Sequence, residues 1–259
     1  MGKLSKIGRI FYSIAIAEFG VQIIYYHDFP YMLLPPNHSR IPGLAVLAFI
    51  SGALFVLAGA CLIFEKKPRQ ISLLLGGVLL LIFCFYYIPY EFMATSNYMH
   101  LGEWENAVKV LTLAGGALVI AGCFPGKNEN RLTGFLGKLI PFGAILFAIT
   151  MIDYGISHFL YAKDAADYVP AWIPYHLFWI YFCGAALIGS GIAIILKIKI
   201  GLIAALLGTM IFIWFISLHI PRVIASPFKD IGGELTSACL ALAYSGIAFI
   251  IAGTAKKTA

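Results

Sequence analysis

Eight long apolar stretches dominate this chain and restrict it to one class of fold. A helix needs about 20 apolar residues to cross the hydrocarbon core of a bilayer. Stretches of that length lie at residues 7–26, 43–64, 70–90, 104–123, 138–161, 174–196, 199–220 and 233–253. Few residues remain between them, which leaves no room for a sizeable soluble domain. We therefore predict an all-α integral membrane protein with eight transmembrane helices.

The placement of charge supports this fold class and argues against binding to nucleic acid. Charged residues form 12% of the chain, whereas soluble domains carry about 25%. The net charge is +6, but the basic residues are concentrated on one side of the predicted membrane. Thirteen of the eighteen lie on the side of the N-terminus: Lys3, Lys6, Arg9, Lys66, Lys67, Arg69, Lys127, Arg131, Lys138, Lys197, Lys199, Lys256 and Lys257.

This asymmetry also predicts the orientation of the chain. Only Arg40, Lys109, Lys163, Arg222 and Lys229 are left for the other side. Cytoplasmic loops of membrane proteins carry the excess of Lys and Arg, so we predict that both termini are cytoplasmic. We predict that the protein lies in the plasma (inner) membrane and crosses it several times. The lipid bilayer is its predicted partner.

The sequence contains an internal repeat. The tripeptide EFG at 18–20 aligns with DYG at 153–155, and Gly122 in the fourth stretch aligns with Gly253 in the eighth. The offset falls only from 135 to 131 residues between these two matches. Each half holds four predicted helices, an even number, so both halves enter the membrane in the same orientation. We predict two parallel four-helix repeats.

Glu18 and Asp153 are carboxyl groups placed inside apolar stretches. Glu18 lies about 16 Å of helical rise into the first stretch, near the bilayer centre, where an ionisable side chain costs about 2.5–3.5 kcal/mol and usually faces the bundle interior. Residues four apart share a helix face, which places Gln22 beside Glu18 and Ser157 beside Asp153. One interpretation is a neutral carboxyl that hydrogen-bonds neighbouring helices. The other is a proton relay or a contact to a polar ligand.

Lys109 is the basic residue set furthest into a stretch from the outer side, four residues after Glu105. It either extends outward to pair with Glu105 or turns inward towards Glu18. The second half has no equivalent lysine, so the two halves are not equivalent at this position. We expect an anionic ligand to favour the first half and proton chemistry to favour the second half.

The histidines share one side of the predicted membrane. All of them fall on the outer side: His27, His38, His100, His158, His176 and His219. They are either ordinary interfacial residues or a polar cluster at the outer mouth that binds a metal, a haem or a quinone head group. No pair has strict metal-ligand spacing, so the sequence identifies no metal.

Aromatic residues are frequent in the outer loops, for example in "YAKDAADYVPAWIPYH" at 161–176. Such residues usually form the aromatic belt at the membrane surface. The alternative is an aromatic-walled pocket for a quinone or a lipid. The sequence contains no P-loop, nucleophile elbow, zinc-protease motif or dinucleotide fingerprint.

Two features together resemble a known family. The first helix of the unit carries a basic residue and then acid–aromatic–glycine, and the last helix reads "ENAVKVLTLAGGALVIAG" at 105–122. Both resemble the DoxX/DoxD-like membrane proteins, in which an Asn, a Lys three residues later and a helix of small residues recur. Because the resemblance covers both halves, residues 1–125 are identified as the first DoxX-like four-helix repeat and residues 126–259 as the second.

What the resemblance implies is a redox association. DoxD-like proteins are linked to the small subunit of thiosulfate:quinone oxidoreductase, and other relatives to membrane complexes that handle sulfur or thiols. The family pattern assigns Asn106 and Lys109 to the site. The second half departs from it, because Ser237 and Leu240 occupy the equivalent positions.

Two functional hypotheses follow. The first is a redox-associated membrane subunit that handles quinone or electrons with a partner oxidoreductase at the outer face. Its candidate catalytic residues are Glu18, Asp153 and Lys109, and its candidate ligand-binding residues are Gln22, Asn106, Ser157, His158 and His219. The second hypothesis is a non-catalytic carrier, transporter or scaffold that binds a lipid, a small solute or a partner protein. The sequence identifies no cofactor, although a quinone is one candidate.

Overall fold

Eight membrane-length helices make up most of the computed structural model, which describes residues 2–35, 42–94, 100–126, 129–226 and 231–255. They are α1 (Lys3–Tyr26), α2 (Leu44–Ile63), α3 (Pro68–Ala94), α4 (Leu101–Gly122), α5 (Arg131–Leu160), α6 (His176–Ile195), α7 (Ile200–Ala225) and α8 (Glu234–Thr254). A short helix, Ala162–Ala166, follows α5. The prediction of an all-α protein with eight spans long and apolar enough to cross a bilayer is confirmed.

Neighbouring helices contact one another in chain order, and α8 closes the ring against α1. The contacts of α2 with α3 and of α6 with α7 are sparse, whereas α4 and α8 meet in the middle of the bundle. These two helices are therefore the most buried of the eight.

The contacts of the two halves correspond helix by helix. The α1–α2 and α3–α4 contacts of the first half recur as α5–α6 and α7–α8 in the second. Between the halves, α1 packs on α8 just as α5 packs on α4. The first helix of each half thus packs against the last helix of the other half, and the two halves are interlocked.

Close backbone approach through glycine occurs at equivalent places in the two halves. In the α5–α4 contact, a Cβ atom added to Gly143 would lie 2.8 Å from the carbonyl oxygen of Gly115, and Gly8 faces Gly246 in the α1–α8 contact. In lipid, where apolar side chains gain little by leaving their solvent, small residues allow the close packing that holds helices together.

Both α3 and α7 contain a π-helical turn, at Phe83–Tyr87 and Phe215–His219. Each turn overlaps the residues just before a proline, Pro89 or Pro221. Proline lacks the N–H for the normal helical bond and its ring collides with the carbonyl four residues earlier, so the helix widens locally. The two halves therefore share this backbone irregularity in the third helix of each.

The bundle has two chemically different ends. We call the end where α1 begins, with residues 64–67 and 196–199, the basic end, and the end with residues 27–35 and 161–175 the aromatic end. Among the described basic residues, only Lys109, Lys163 and Arg222 belong to the aromatic end. The predicted positions of Arg40, Lys127, Lys229, Lys256 and Lys257 lie outside the described residues.

Two arginines hold helix C-termini at the basic end. Buried Arg9 donates from Nη1 to the carbonyl oxygens of Leu62 and Ile63 at the end of α2. Arg69 donates to the carbonyl oxygens of Ala121 (3.1 Å) and Phe124 (3.0 Å) at the end of α4. The last carbonyls of a helix lack intrahelical donors and carry partial negative charge, so these bonds satisfy them.

Candidate functional site

The predicted carboxyl groups lie in the two equivalent contacts between the halves. Glu18 lies in the α1–α8 interface, where it meets the first turns of α8. Asp153 lies in the α4–α5 interface, near the first turns of α4. The duplication therefore produces two related sites, one on each side of the central helices.

The α1–α8 interface contains a four-residue hydrogen-bond network. Gln22 donates from Nε2 to the Oε2 atom of Glu18, which confirms the contact expected from their spacing. The Cys239 thiol donates to the same carboxyl oxygen over 3.0 Å. Thr236 completes the network by donating to Oε1 of Gln22 over 2.5 Å. Side chains of α1 and α8 are thus joined by two separate bonds.

The α4–α5 interface gives Asp153 a different environment. Asp153 accepts no hydrogen bond and forms no ion pair with any residue the structure describes. Glu105 is the charged residue that interacts electrostatically with the Asp153 carboxyl group. Ser157, expected beside Asp153, makes no side-chain hydrogen bond within the described part of the chain.

Lys109 extends towards the helix end and not towards Glu18. Its Nζ atom lies 2.6 Å from Oε1 of Glu105 and 3.3 Å from Oδ1 of Asn106. The alternative in which Lys109 turns inward to Glu18 is therefore wrong. Lys109 pairs instead with Glu105, which lies one helical turn away on the same helix face. Lys109 and Asn106 do share an interface with a carboxyl group, but it is that of Asp153.

Both carboxyl groups lie about two helical turns from the aromatic ends of their helices, the distance that the predicted stretches give. Helix α1 begins at Lys3, before the apolar stretch, so Glu18 lies about 22 Å from its start and about 12 Å from its end at Tyr26. Asp153 lies seven residues before the end of α5, or about 10 Å. Two helical turns therefore separate each carboxyl from the aromatic end.

The sequence predicts that both carboxyl groups face the bundle interior, but the structure places neither of them fully inside it. Glu18 and Asp153 are both half-buried. Glu18 lies between exposed Ile14 and Val21 on α1, and Asp153 between exposed Ile149 and Ile156 on α5. Because these spacings of three and four residues follow one helix face, each carboxyl lies at the edge of the apolar surface that faces the bilayer.

Beside Asp153, two tyrosines meet in the core. The hydroxyl groups of Tyr154 and Tyr244 are 3.3 Å apart. The equivalent positions in the other half hold Phe19 and Leu113. The hydroxyl contact between α5 and α8 therefore has no counterpart in the repeat.

The histidines do not converge on a metal site. Nδ1 of His158 lies 2.7 Å from the carbonyl oxygen of Tyr154, and since a carbonyl only accepts, Nδ1 carries the proton. Nδ1 of His219 is buried and has no partner in the described structure. His100 contacts the hydroxyl of Tyr161, and His38 lies outside the described residues. No group of three His, Cys, Asp or Glu residues suited to a metal occurs in the searched ranges.

Sequence analysis did not identify Thr236, Cys239 or the Tyr154–Tyr244 pair. A comparison of the two halves position by position would have drawn attention to Cys239 and Tyr244. Cys239 corresponds to Val108, and Tyr244 to Leu113, so each polar side chain replaces an apolar one within the repeat. Such substitutions mark places where one half has acquired a contact that the other lacks.

Comparisons of the chain with protein-family models, with curated proteins and with solved structures found no match.

Proposed function

We propose that this protein is an integral membrane subunit that binds the polar head group of a membrane-soluble molecule at the α4–α5 interface, with a quinone as the first candidate. One observation carries the proposal. Asp153 is a carboxyl group at the edge of a bilayer-facing surface, and no hydrogen bond from the described residues satisfies it. A polar group in this setting is costly unless it is paired.

The neighbouring groups suit a head group that both accepts and donates hydrogen bonds. Quinone carbonyls accept and quinol hydroxyls donate. The Asp153 carboxyl accepts, while the Lys109 ammonium has three donors, of which Glu105 and Asn106 engage two. Both Asp153 and Lys109 are neighbours of Glu105, so the donor and the acceptor flank the same residue.

The α1–α8 interface is a weaker candidate for ligand binding. Oε2 of Glu18 already accepts two hydrogen bonds, and these bonds connect the first and last helices. We assign Glu18 and Gln22 to helix packing. The two carboxyl groups, which are equivalent in the repeat, thus have different roles.

The redox part of the proposal is supported by the resemblance to DoxX/DoxD-like proteins. On that basis the bound quinone would exchange electrons with a partner oxidoreductase at the aromatic end. We place the protein in the plasma (inner) membrane. The excess of Lys and Arg at the basic end supports an orientation in which that end faces the cytoplasm.

Binding of a short-chain quinol tests the proposal, because a quinol hydroxyl can donate to the Asp153 carboxylate. The purified protein in mild detergent is titrated under reducing conditions with decylubiquinol, and affinity is followed by calorimetry for wild type, Asp153→Asn and Asp153→Ala. A lost charge-assisted hydrogen bond weakens binding by about tenfold or more. The matched control is Glu18→Gln, which removes the equivalent charge in the other half and should bind like wild type.

The outcomes separate the two functional hypotheses. Binding that depends on Asp153, together with partner-dependent electron transfer, supports the redox subunit. Binding without electron transfer to any quinone-dependent partner supports a carrier. Unchanged affinity in well-folded Asp153 variants would show that the α4–α5 interface is not the site.

A further inference from the structure

An apolar groove runs between α6 and α7, where the contact between helices is sparse. Its volume is about 540 Å³, within the range of small-molecule sites, about 300–1,000 Å³. Three tryptophans, Trp172, Trp179 and Trp214, line it together with aliphatic side chains of α7. The groove therefore offers a long apolar surface at the side of the bundle.

A second pocket of about 420 Å³, with charged residues in its lining, lies next to the groove at the aromatic end. On α7, Ser217 borders the groove and the next residue, Leu218, borders the pocket. The loop preceding α6 borders both, since residues 167–171 line the pocket and residues 172–174 line the groove. An apolar groove and a pocket that contains charged residues thus lie next to each other along α7.

Arg222 lines the pocket, and its positive charge is paired with Glu234. Its Nε and Nη2 atoms donate to the Glu234 carboxylate over 2.8 and 2.5 Å, and its guanidinium lies 4.5 Å from the centre of the Tyr168 ring. Its Nη1 atom donates to none of the residues that the structure describes. A guanidinium held along one edge in this way presents its other edge for a further anion.

Negative charge borders the same pocket. Asp167 lines it and is exposed, and it forms no ion pair within the described ranges. His176, at the start of α6, completes the polar lining. A ligand that fits these residues carries an anionic group for Arg222 and a cationic group for Asp167.

We propose that the groove and the pocket together bind one zwitterionic phospholipid of the phosphatidylethanolamine type. Its acyl chain lies between α6 and α7, its phosphate meets Arg222, and its ammonium meets Asp167. An anionic lipid would satisfy Arg222 but would be repelled by Asp167. This site is distinct from the α4–α5 interface, and the proposal stands whether or not a quinone binds there.

Tryptophan quenching by brominated lipid tests this directly, because three of the four tryptophans line the groove. A Trp104→Phe variant, which removes the fourth, is reconstituted in phosphatidylglycerol vesicles with increasing dibromo-phosphatidylethanolamine. Quenching should saturate at a low mole fraction of the brominated lipid. The reciprocal titration, with dibromo-phosphatidylglycerol in phosphatidylethanolamine vesicles, should show no such saturation.

Two variants locate the head group. Arg222→Gln and Asp167→Asn, each in the Trp104→Phe background, should raise the mole fraction for half-maximal quenching about tenfold, as expected for one lost charge-assisted contact. The Asp167 side chain forms no hydrogen bond or ion pair with any described residue, so its variant remains informative if Arg222→Gln is unstable. Equal quenching by both lipid classes, or no effect of Asp167→Asn, would overturn the proposal.

Discussion

Cys239 and Glu18, 221 residues apart in the chain, are joined by a thiol–carboxylate hydrogen bond of 3.0 Å between the last helix and the first. The equivalent pair in the other interface is Val108 and Asp153, in which the valine cannot donate. Together with Gln22, which donates to Glu18 where the equivalent Ser157 makes no such bond, this difference leaves one carboxyl engaged in packing and the other without a hydrogen-bond partner in the described structure.

Replacing Cys239 with valine, the residue at the equivalent position in the first half, should destabilise the bundle. Glu18 then loses one of its two donors, and such a bond within a membrane contributes about 0.6–1.7 kcal/mol. Thermal unfolding in detergent should show a lower Tm. Cys84→Val is the matched control, because Cys84 is exposed, and its Tm should stay close to wild type.

Gly20→Ala should disrupt the contact between α1 and α2. The added Cβ would lie 2.5 Å from the carbonyl oxygen of Gly52 and 2.7 Å from the backbone nitrogen of Val56, so the helices must separate. We expect a cost of about 1–3 kcal/mol, measured as loss of folded protein on size-exclusion chromatography and a lower Tm.

The control for this substitution is Gly189→Ala in α6. Nothing lies within 4 Å of a Cβ added there, and alanine is favoured over glycine in helices by about 1 kcal/mol. Its Tm should be equal or higher. If both alanine variants behave alike, close backbone contact does not hold α1 to α2.

Arg69→Met should weaken the attachment of α3 to the end of α4. The methionine retains apolar bulk but removes the guanidinium that donates to the carbonyls of Ala121 and Phe124 and pairs with Glu129, at a cost of about 1–3 kcal/mol. Hydrogen exchange should increase at the C-terminal turn of α4. Lys66→Met removes an exposed charge nearby and should leave exchange there unchanged.

The orientation of the chain is testable with single cysteines. In a background with all five native cysteines changed to alanine, Lys66→Cys places a thiol at the basic end and Lys163→Cys one at the aromatic end. A membrane-impermeant maleimide added to intact cells should label only the Lys163→Cys protein. Labelling of only the Lys66→Cys protein would reverse the proposed orientation.

The helices were predictable because hydropathy and length alone determine which segments can span a bilayer. The ends of the helices were less predictable, because Lys3 and Lys6 interrupt the apolar pattern although the helix includes them. The extra turn lies at the basic end, so Glu18 keeps its predicted distance from the aromatic end. Residue spacing also predicted the contact between Glu18 and Gln22, because that contact lies within one helix.

Contacts between helices could not be derived in the same way. A repeat identifies equivalent positions within the two halves, but it does not predict that α1 packs against α8 of the other half. Thr236 and Cys239 therefore carried no signal as partners of Glu18 and its neighbour Gln22. Spacing allowed the Lys109–Glu105 pair because it lies within α4, but the alternative contact with Glu18 on α1 could be rejected only from the structure.

The most direct test of the proposed site at Asp153 is native mass spectrometry of wild-type and Asp153→Asn protein, purified side by side in a mild detergent. The bound molecules are released and identified from each. We expect a quinone, or another molecule with a comparable polar head group, at about one per chain in wild type and a marked loss in the variant. Equal occupancy in the two proteins, or no such molecule in wild type, would contradict the assignment of Asp153 to ligand binding.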